Sequence, residues 1–155
     1  NNMTVFIDAD GCPVVKETES LCKRYKLKLI IMCDTNHIIT SDYGQVITIG
    51  AGADAVDFAL VNKCKPYDVV ITQDYGVAAM ALSKKCYCLN QNGLIFTNDN
   101  IEGLLYSRYV TKKVRNSSAK HHLKGPSKRS KQDISNFIQA FEKIINQHLK
   151  EHINN

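Results

Sequence analysis

Polar and apolar positions along the chain fall into short apolar runs separated by stretches with helical spacing. Val5-Phe6-Ile7 is a compact apolar run that ends at Asp8, the signature of a short buried strand. Pro13 follows where a helix can spare an N–H, and Val14, Val15, Thr18, Leu21, Cys22 and Tyr25 then recur at helical spacing. Leu27 to Cys33 predicts a second strand. Residues 34–44 are polar, with Asn36, Ser41, Asp42 and Gly44, and predict a loop. Gln45 to Ile49 alternates and is rich in β-branched residues, as a third strand requires. Gly50 to Ala53 breaks it. Ala55, Val56, Phe58, Ala59, Leu60 and Val61 predict a helix that stops near Lys65-Pro66.

Val69 to Thr72 reads as a fourth strand, Val77 to Leu82 as a short helix, and Cys86 to Leu89 as a fifth strand. Gln91-Asn92-Gly93 is a turn, and Thr97 to Tyr109 reads as a helix. Ser130 with Asp133 resembles a capping box. Behind it, Ile134, Phe137, Ile138, Phe141, Ile144, Ile145 and Leu149 line one face of a final helix at 132–150. That face either packs on the domain or serves a homo-oligomer contact. Strands alternating with helices imply parallel βαβ units, hence an α/β fold around a mostly parallel sheet of about five strands.

The 155 residues suit one domain spanning 3–155, and 44% apolar content excludes a disordered chain. No apolar run approaches the roughly 18–20 residues of a membrane span. Thr4 to Ile7 is too short for the apolar region of a secretory signal, so the expectation is a cytoplasmic protein with no membrane partner. The six cysteines, Cys12, Cys22, Cys33, Cys64, Cys86 and Cys88, form no C-x-x-C pair and are expected to be reduced and mostly in the core.

The net charge of +5 is unevenly distributed. Residues 1–111 carry ten Lys/Arg against twelve Asp/Glu, whereas residues 112–131 carry eight Lys/Arg and no acid. This basic segment is expected to be flexible. Lys112, Lys113, Arg115, Lys120, Lys124, Lys128, Arg129 and Lys131 could hold phosphates without reading sequence, since no aromatics are interleaved for base stacking. A plain solvated loop is the alternative.

The chemistry is expected elsewhere. Ligands of open parallel sheets bind outside the carboxyl ends of the strands. Three such ends here run into acids: strand one into Asp8-Ala9-Asp10, strand three through Gly50-Ala51-Gly52 to Asp54 with Asp57 one turn on, and strand four into Asp74. Carboxylates gathered on one edge repel each other, and a hard divalent cation such as Mg²⁺ or Mn²⁺ relieves that repulsion. Each Asp also lies near a predicted helix start, where Asp is a favoured N-cap, so capping competes with metal binding at every position. Cys12 at a helix start invites a reactive-thiol reading, but no His is near it in sequence and acids surround it, so packing is preferred. His121-His122 alone makes a poor metal site.

Asp8-Ala9-Asp10-Gly11-Cys12-Pro13, Gly52-Ala53-Asp54-Ala55-Val56-Asp57, Val70-Ile71-Thr72-Gln73-Asp74-Tyr75 and Thr97-Asn98-Asp99-Asn100-Ile101 together resemble the YaiI/YqxD family of uncharacterised bacterial proteins with a PIN-like domain. The resemblance runs from Val5 to about Ile145. It implies a three-layer α/β/α sandwich. PIN domains elsewhere are Mg²⁺- or Mn²⁺-dependent ribonucleases, so it also implies a phosphodiesterase acting on RNA. Carried over by position, Asp8 and Asp74 are the central metal ligands, Asp10, Asp54 and Asp57 are auxiliary acids, and Arg108 matches a family arginine. The alternative function is a non-catalytic nucleic-acid- or nucleotide-binding module. The chain departs from its relatives at Gln91-Asn92-Gly93, where they carry Pro-Arg-Gly, and at Leu123-Lys124-Gly125-Pro126, where they carry Gly-Gly-Pro.

Overall fold

The computed structural model describes residues 3–50, 53–115 and 128–153. In chain order they form β1 (Thr4–Asp8), α1 (Val15–Tyr25), β2 (Lys28–Asp34), β3 (Gln45–Ile49), α2 (Ala53–Lys63), β4 (Val69–Ile71), α3 (Tyr75–Ser83), β5 (Tyr87–Leu89), β6 (Ile95–Phe96), α4 (Ile101–Arg115) and α5 (Lys131–His152). The strands lie in the order β3-β2-β1-β4-β5-β6. All neighbours are parallel except β5 and β6, where Cys88 faces Phe96 and Leu89 faces Ile95 in antiparallel register.

The mostly parallel sheet of about five strands is present, with a short sixth strand that the sequence did not reveal. Two residues carry no periodicity, and the Gln91–Gly93 turn was legible while the strand behind it was not. Gly93 sits at φ +86°, and a Cβ there would fall 2.4 Å from the Asn136 carbonyl oxygen, so this turn presses on α5. α4 also differs from its reading. It begins at Ile101, after Thr97 and Asn100 exchange bonds (Thr97 N to Asn100 Oδ1, 2.9 Å; Asn100 N to Thr97 Oγ1, 3.2 Å), and it runs through Arg115. Lys112, Lys113 and Arg115 are therefore helical rather than part of a flexible segment.

Strand alternation sorts the core into two layers. Val5, Ile7, Leu29, Ile31, Val69, Ile71 and Leu89 pack with α1 residues Leu21 and Cys22 and with Phe137, Phe141, Ile144 and Ile145 of α5. Phe6, Ile30, Met32, Val70, Cys88 and Phe96 pack with Val56 and Leu60 of α2, Val77, Ala78 and Ala81 of α3, and Ile101 of α4. The result is an α/β/α sandwich. The predicted stripe on α5 is buried within the chain's own core, and Ser130 with Asp133 closes a full capping box (Asp133 N to Ser130 Oγ, 3.1 Å; Ser130 N to Asp133 Oδ2, 2.9 Å). All six cysteines are buried free thiols. No helix among the described residues is long and apolar enough to cross a membrane.

Candidate active site

The sheet itself creates the site. From β1 the chain winds outward to β2 and β3, and from β4 it winds the opposite way to β5, so the order reverses between β1 and β4. The two crossover helices leave a crevice at the carboxyl ends of these strands. Asp8 ends β1 and Thr72-Gln73-Asp74 follows β4, which places them side by side.

Asp8 is 8% exposed. The buried Thr72 hydroxyl donates to its Oδ2 at 3.4 Å and accepts the Asp74 backbone N–H at 3.0 Å, linking the two strand ends. Burial, then the charge of Asp10 and more weakly that of Asp74, pushes the Asp8 carboxyl up to about 6, against the Thr72 hydroxyl and the Asp10 backbone N–H, which pull it down. Asp57, on α2, is also raised to about 6, by burial first and then by Asp74, Asp8, Asp54 and Asp10.

Asp74 caps α3: its Oδ1 accepts Gly76 N at 2.8 Å and Val77 N at 3.1 Å. The capping alternative is thus realised at this position. Both bonds end on Oδ1, and no hydrogen bond from a described residue reaches Oδ2, so one oxygen keeps its lone pairs.

A cleft of 680 Å³ opens over these acids. It is lined by Asp8, Asp10, Asp57, Asp74, Gly11, Gln73 and Tyr75 and by Ser107, Arg108, Thr111 and Arg115 of α4. Ser107, Thr111 and Arg115 follow one another at four-residue spacing on α4, with Arg108 next to Ser107, so a single helix face supplies two hydroxyls and two guanidinium groups. Of the expected acids, Asp8, Asp10, Asp57 and Asp74 share the cleft, whereas Asp54 is exposed on the first turn of α2 and acts on Asp57 only through its charge.

The expected cations disperse. Arg108 and Arg115 line the cleft, while Lys112 and Lys113 are exposed on α4, Lys113 lying 5.2 Å from the Tyr109 ring centroid. Lys120 and Lys124 lie outside the described residues, and Lys128 and Lys131 are exposed. Arg129 is half-buried: it donates to Gln91 O at 2.9 Å and to Asn92 Oδ1, bracing the β5–β6 turn. Cys12 is 1% exposed and pushed up to about 12 by burial and by Asp8, which supports the packing reading over a reactive thiol.

Sequence reasoning did not single out Gln73, Tyr75, Ser107 or Thr111 as site residues, although Gln73 and Tyr75 stand in a motif that carries the family resemblance. It also missed Asp34 and His37. Asp10 turns toward them: both its oxygens accept Asp34 N at 3.1 Å, and His37 Nδ1 lies 3.0 Å from its Oδ1 and 2.8 Å from Asp34 Oδ1. Asp34 ends β2 as Asp8 ends β1, so the same strand-end argument was available for it.

Helices on both faces of a parallel sheet and an acid-lined crevice where the strand order reverses define a doubly wound α/β protein. The chain belongs to the uncharacterized YaiI/YqxD family, whose pattern matches residues 6–147. It is 50% identical to a UPF0178 protein of Clostridium acetobutylicum over 92% of this chain and 97% of that one. UPF0178 proteins of Exiguobacterium sibiricum and Lachnoclostridium phytofermentans are 46% and 44% identical, each over 92% of this chain and 96% and 97% of their own lengths. None of these names states an activity. No solved structure matches the chain.

Proposed function

We propose that this chain is a metal-dependent phosphodiesterase of PIN-like type acting on RNA. The observation that carries the reading is one cleft lined by four carboxylates and two arginines together. The donor set fits a hard divalent cation. It is all oxygen, Asp8 and Asp57 are raised to about 6 by burial and by neighbouring carboxylates, and no described residue fills the second Asp74 oxygen. Asp8 and Asp74 would hold Mg²⁺ or Mn²⁺, with Asp10 and Asp57 as auxiliary acids. When bound, such an ion supplies Lewis-acid stabilisation and an activated water.

The chain's own residues do the rest. Arg108 and Arg115 are placed to receive a phosphodiester, since a guanidinium presents two parallel N–H donors to phosphate oxygens. Ser107 and Thr111 add hydroxyl donors on the same face. Thr72 holds Asp8 and the Asp74 backbone in a fixed relation, so the two ligands do not have to be ordered by the ion.

The test is a calorimetric Mn²⁺ titration of the native chain beside Asp8→Asn, followed by cleavage of a labelled single-stranded RNA in Mn²⁺. Binding and cleavage lost in Asp8→Asn support the reading, and cleavage unchanged by Asp8→Asn removes it. A second reading is a non-catalytic nucleic-acid-binding module. It is favoured by α4, where Tyr106 and Tyr109 are exposed among Lys112, Lys113 and Arg108. Salt-sensitive RNA binding that survives Asp8→Asn without cleavage would select it.

A further inference from the structure

We infer that Asp10, Asp34 and His37 form a second cation seat beside the cleft, with Asp10 shared between the two, fitted to a divalent ion that accepts nitrogen, such as Mn²⁺ or Zn²⁺. One ligand atom from each of the three residues lies within 4.8 Å of the others. Asp34 and His37 do not line the cleft, so two of the three ligands are the seat's own, and the seat stands whether or not the phosphodiesterase reading holds.

Three observations carry the inference. The first is spacing. His37 Nδ1 sits 2.8 Å from Asp34 Oδ1 and 3.0 Å from Asp10 Oδ1. Neighbouring ligands of an octahedral ion with bonds of 2.0–2.1 Å are about 3 Å apart, so the donors already stand at ligand-edge distance. The second is preorganisation. Asp34 is 9% exposed and its Oδ1 is steered by Asn36 N at 2.8 Å, while Asp10 is held by the Asp34 backbone N–H through both oxygens. The carboxylates therefore lose little freedom on binding. The third is access. The His37 side chain is 48% exposed, which leaves the outer coordination positions to water.

The donor set also sets selectivity. Two carboxylates and one imidazole suit Mn²⁺ or Zn²⁺ better than Mg²⁺, which takes oxygen. Asp10 borders both the seat and the cleft, so an ion here would draw charge away from the carboxylate that repels Asp8.

The experiment uses the full chain and the metal alone. Imidazole ¹⁵N resonances are followed during a Zn²⁺ titration, with His37→Ala assigning the His37 signal, and bound Mn²⁺ is counted by electron paramagnetic resonance. The expected result is a shift of the His37 nitrogens at stoichiometric Zn²⁺, and loss of one Mn²⁺ or a weakening of at least tenfold in His37→Ala. Because His37 is exposed, the variant keeps its fold, and His37→Gln serves as a second variant. A His37 signal unmoved by Zn²⁺ overturns the seat. Mn²⁺ counts equal in native and His37→Ala chains overturn it too, even where Asp8→Asn loses an ion, and in that case the cleft reading survives alone. Ions lost in His37→Ala but not in Asp8→Asn leave the seat standing and sink the cleft reading.

Discussion

At the amino end of the seam between β1 and β4, Asp68 is 4% exposed and its carboxylate accepts Thr4 N at 3.0 Å and Lys65 N at 2.9 Å, one on each oxygen. Lys28, Lys63 and Lys65 border the same small cavity of 200 Å³. At the carboxyl end of the seam, Asp8 is nearly as buried, but it meets a hydroxyl at 3.4 Å and is surrounded by Asp10, Asp57 and Asp74. Both acids are almost fully removed from water. One has its oxygens filled by backbone donors and cations nearby, while the other has like charges for company. Burial alone therefore does not mark a functional carboxylate. Incomplete compensation of a buried one does.

The comparison can be broken most forcefully at Asp68. Asp68→Ala leaves two backbone N–H groups without their acceptors and is expected to cost about 3–6 kcal/mol, taking roughly 1.5–3 kcal/mol for each bond to a charged group. Urea unfolding reads this directly. A loss below 1 kcal/mol would mean that Asp68 is no more settled than Asp8.

Next comes pH. Asp8 and Asp57 have folded values of about 6, above the unfolded 3.8, so between these values the native state binds more protons than the unfolded one. Stability of the metal-free protein should fall as pH rises from about 4 to 6, by about 3 kcal/mol for Asp8 at 1.36 kcal/mol per unit. Asp8→Asn should flatten that part of the profile, and a native profile with no fall across the window would contradict the electrostatics described. Mn²⁺ at a hundred times its dissociation constant should then restore about 2.7 kcal/mol at pH 7 in the native chain but not in Asp8→Asn, as measured by thermal unfolding.

The smallest expected effect is that of Thr72→Val. Losing the hydroxyl that links Asp8 to Asp74 should cost about 1 kcal/mol and raise the Asp8 titration further, a change followed by carboxyl NMR. An unchanged Asp8 titration would show that the link is not felt.

Much of this arrangement was legible from residue pattern. Asp8 and Asp74 sit at the ends of short apolar runs, and parallel pairing brings such ends to one edge whatever the intervening sequence. The pattern could not show which acids point at one another. Asp54 and Asp57 looked equivalent, yet one lies exposed on the first turn of α2 and the other faces the cleft, a difference fixed by tertiary packing. Arg129 read as a phosphate ligand because charge is all the sequence displays, whereas its guanidinium braces Gln91 and Asn92. Of the α4 residues in the cleft, Arg108 was recognisable through family resemblance and Arg115 through the basic segment. Ser107 carried no signal inside its predicted helix, and Thr111 and Arg115 reach the cleft because α4 extends beyond the point where its apolar period fades.

The seam has a consequence for how the protein is made. Asp8 and Thr72 are separated by 64 positions, and Val5 waits for Val69 to complete its ladder. At roughly 5–20 residues per second, a growing chain holds β1 with one side unpaired for about 2–7 s after β2 has been made. During that interval Val5, Phe6 and Ile7 present an apolar strand edge of the kind that templates wrong pairings. The candidate active site thus forms late, at the strand junction whose delayed closure exposes the nascent chain to misassembly.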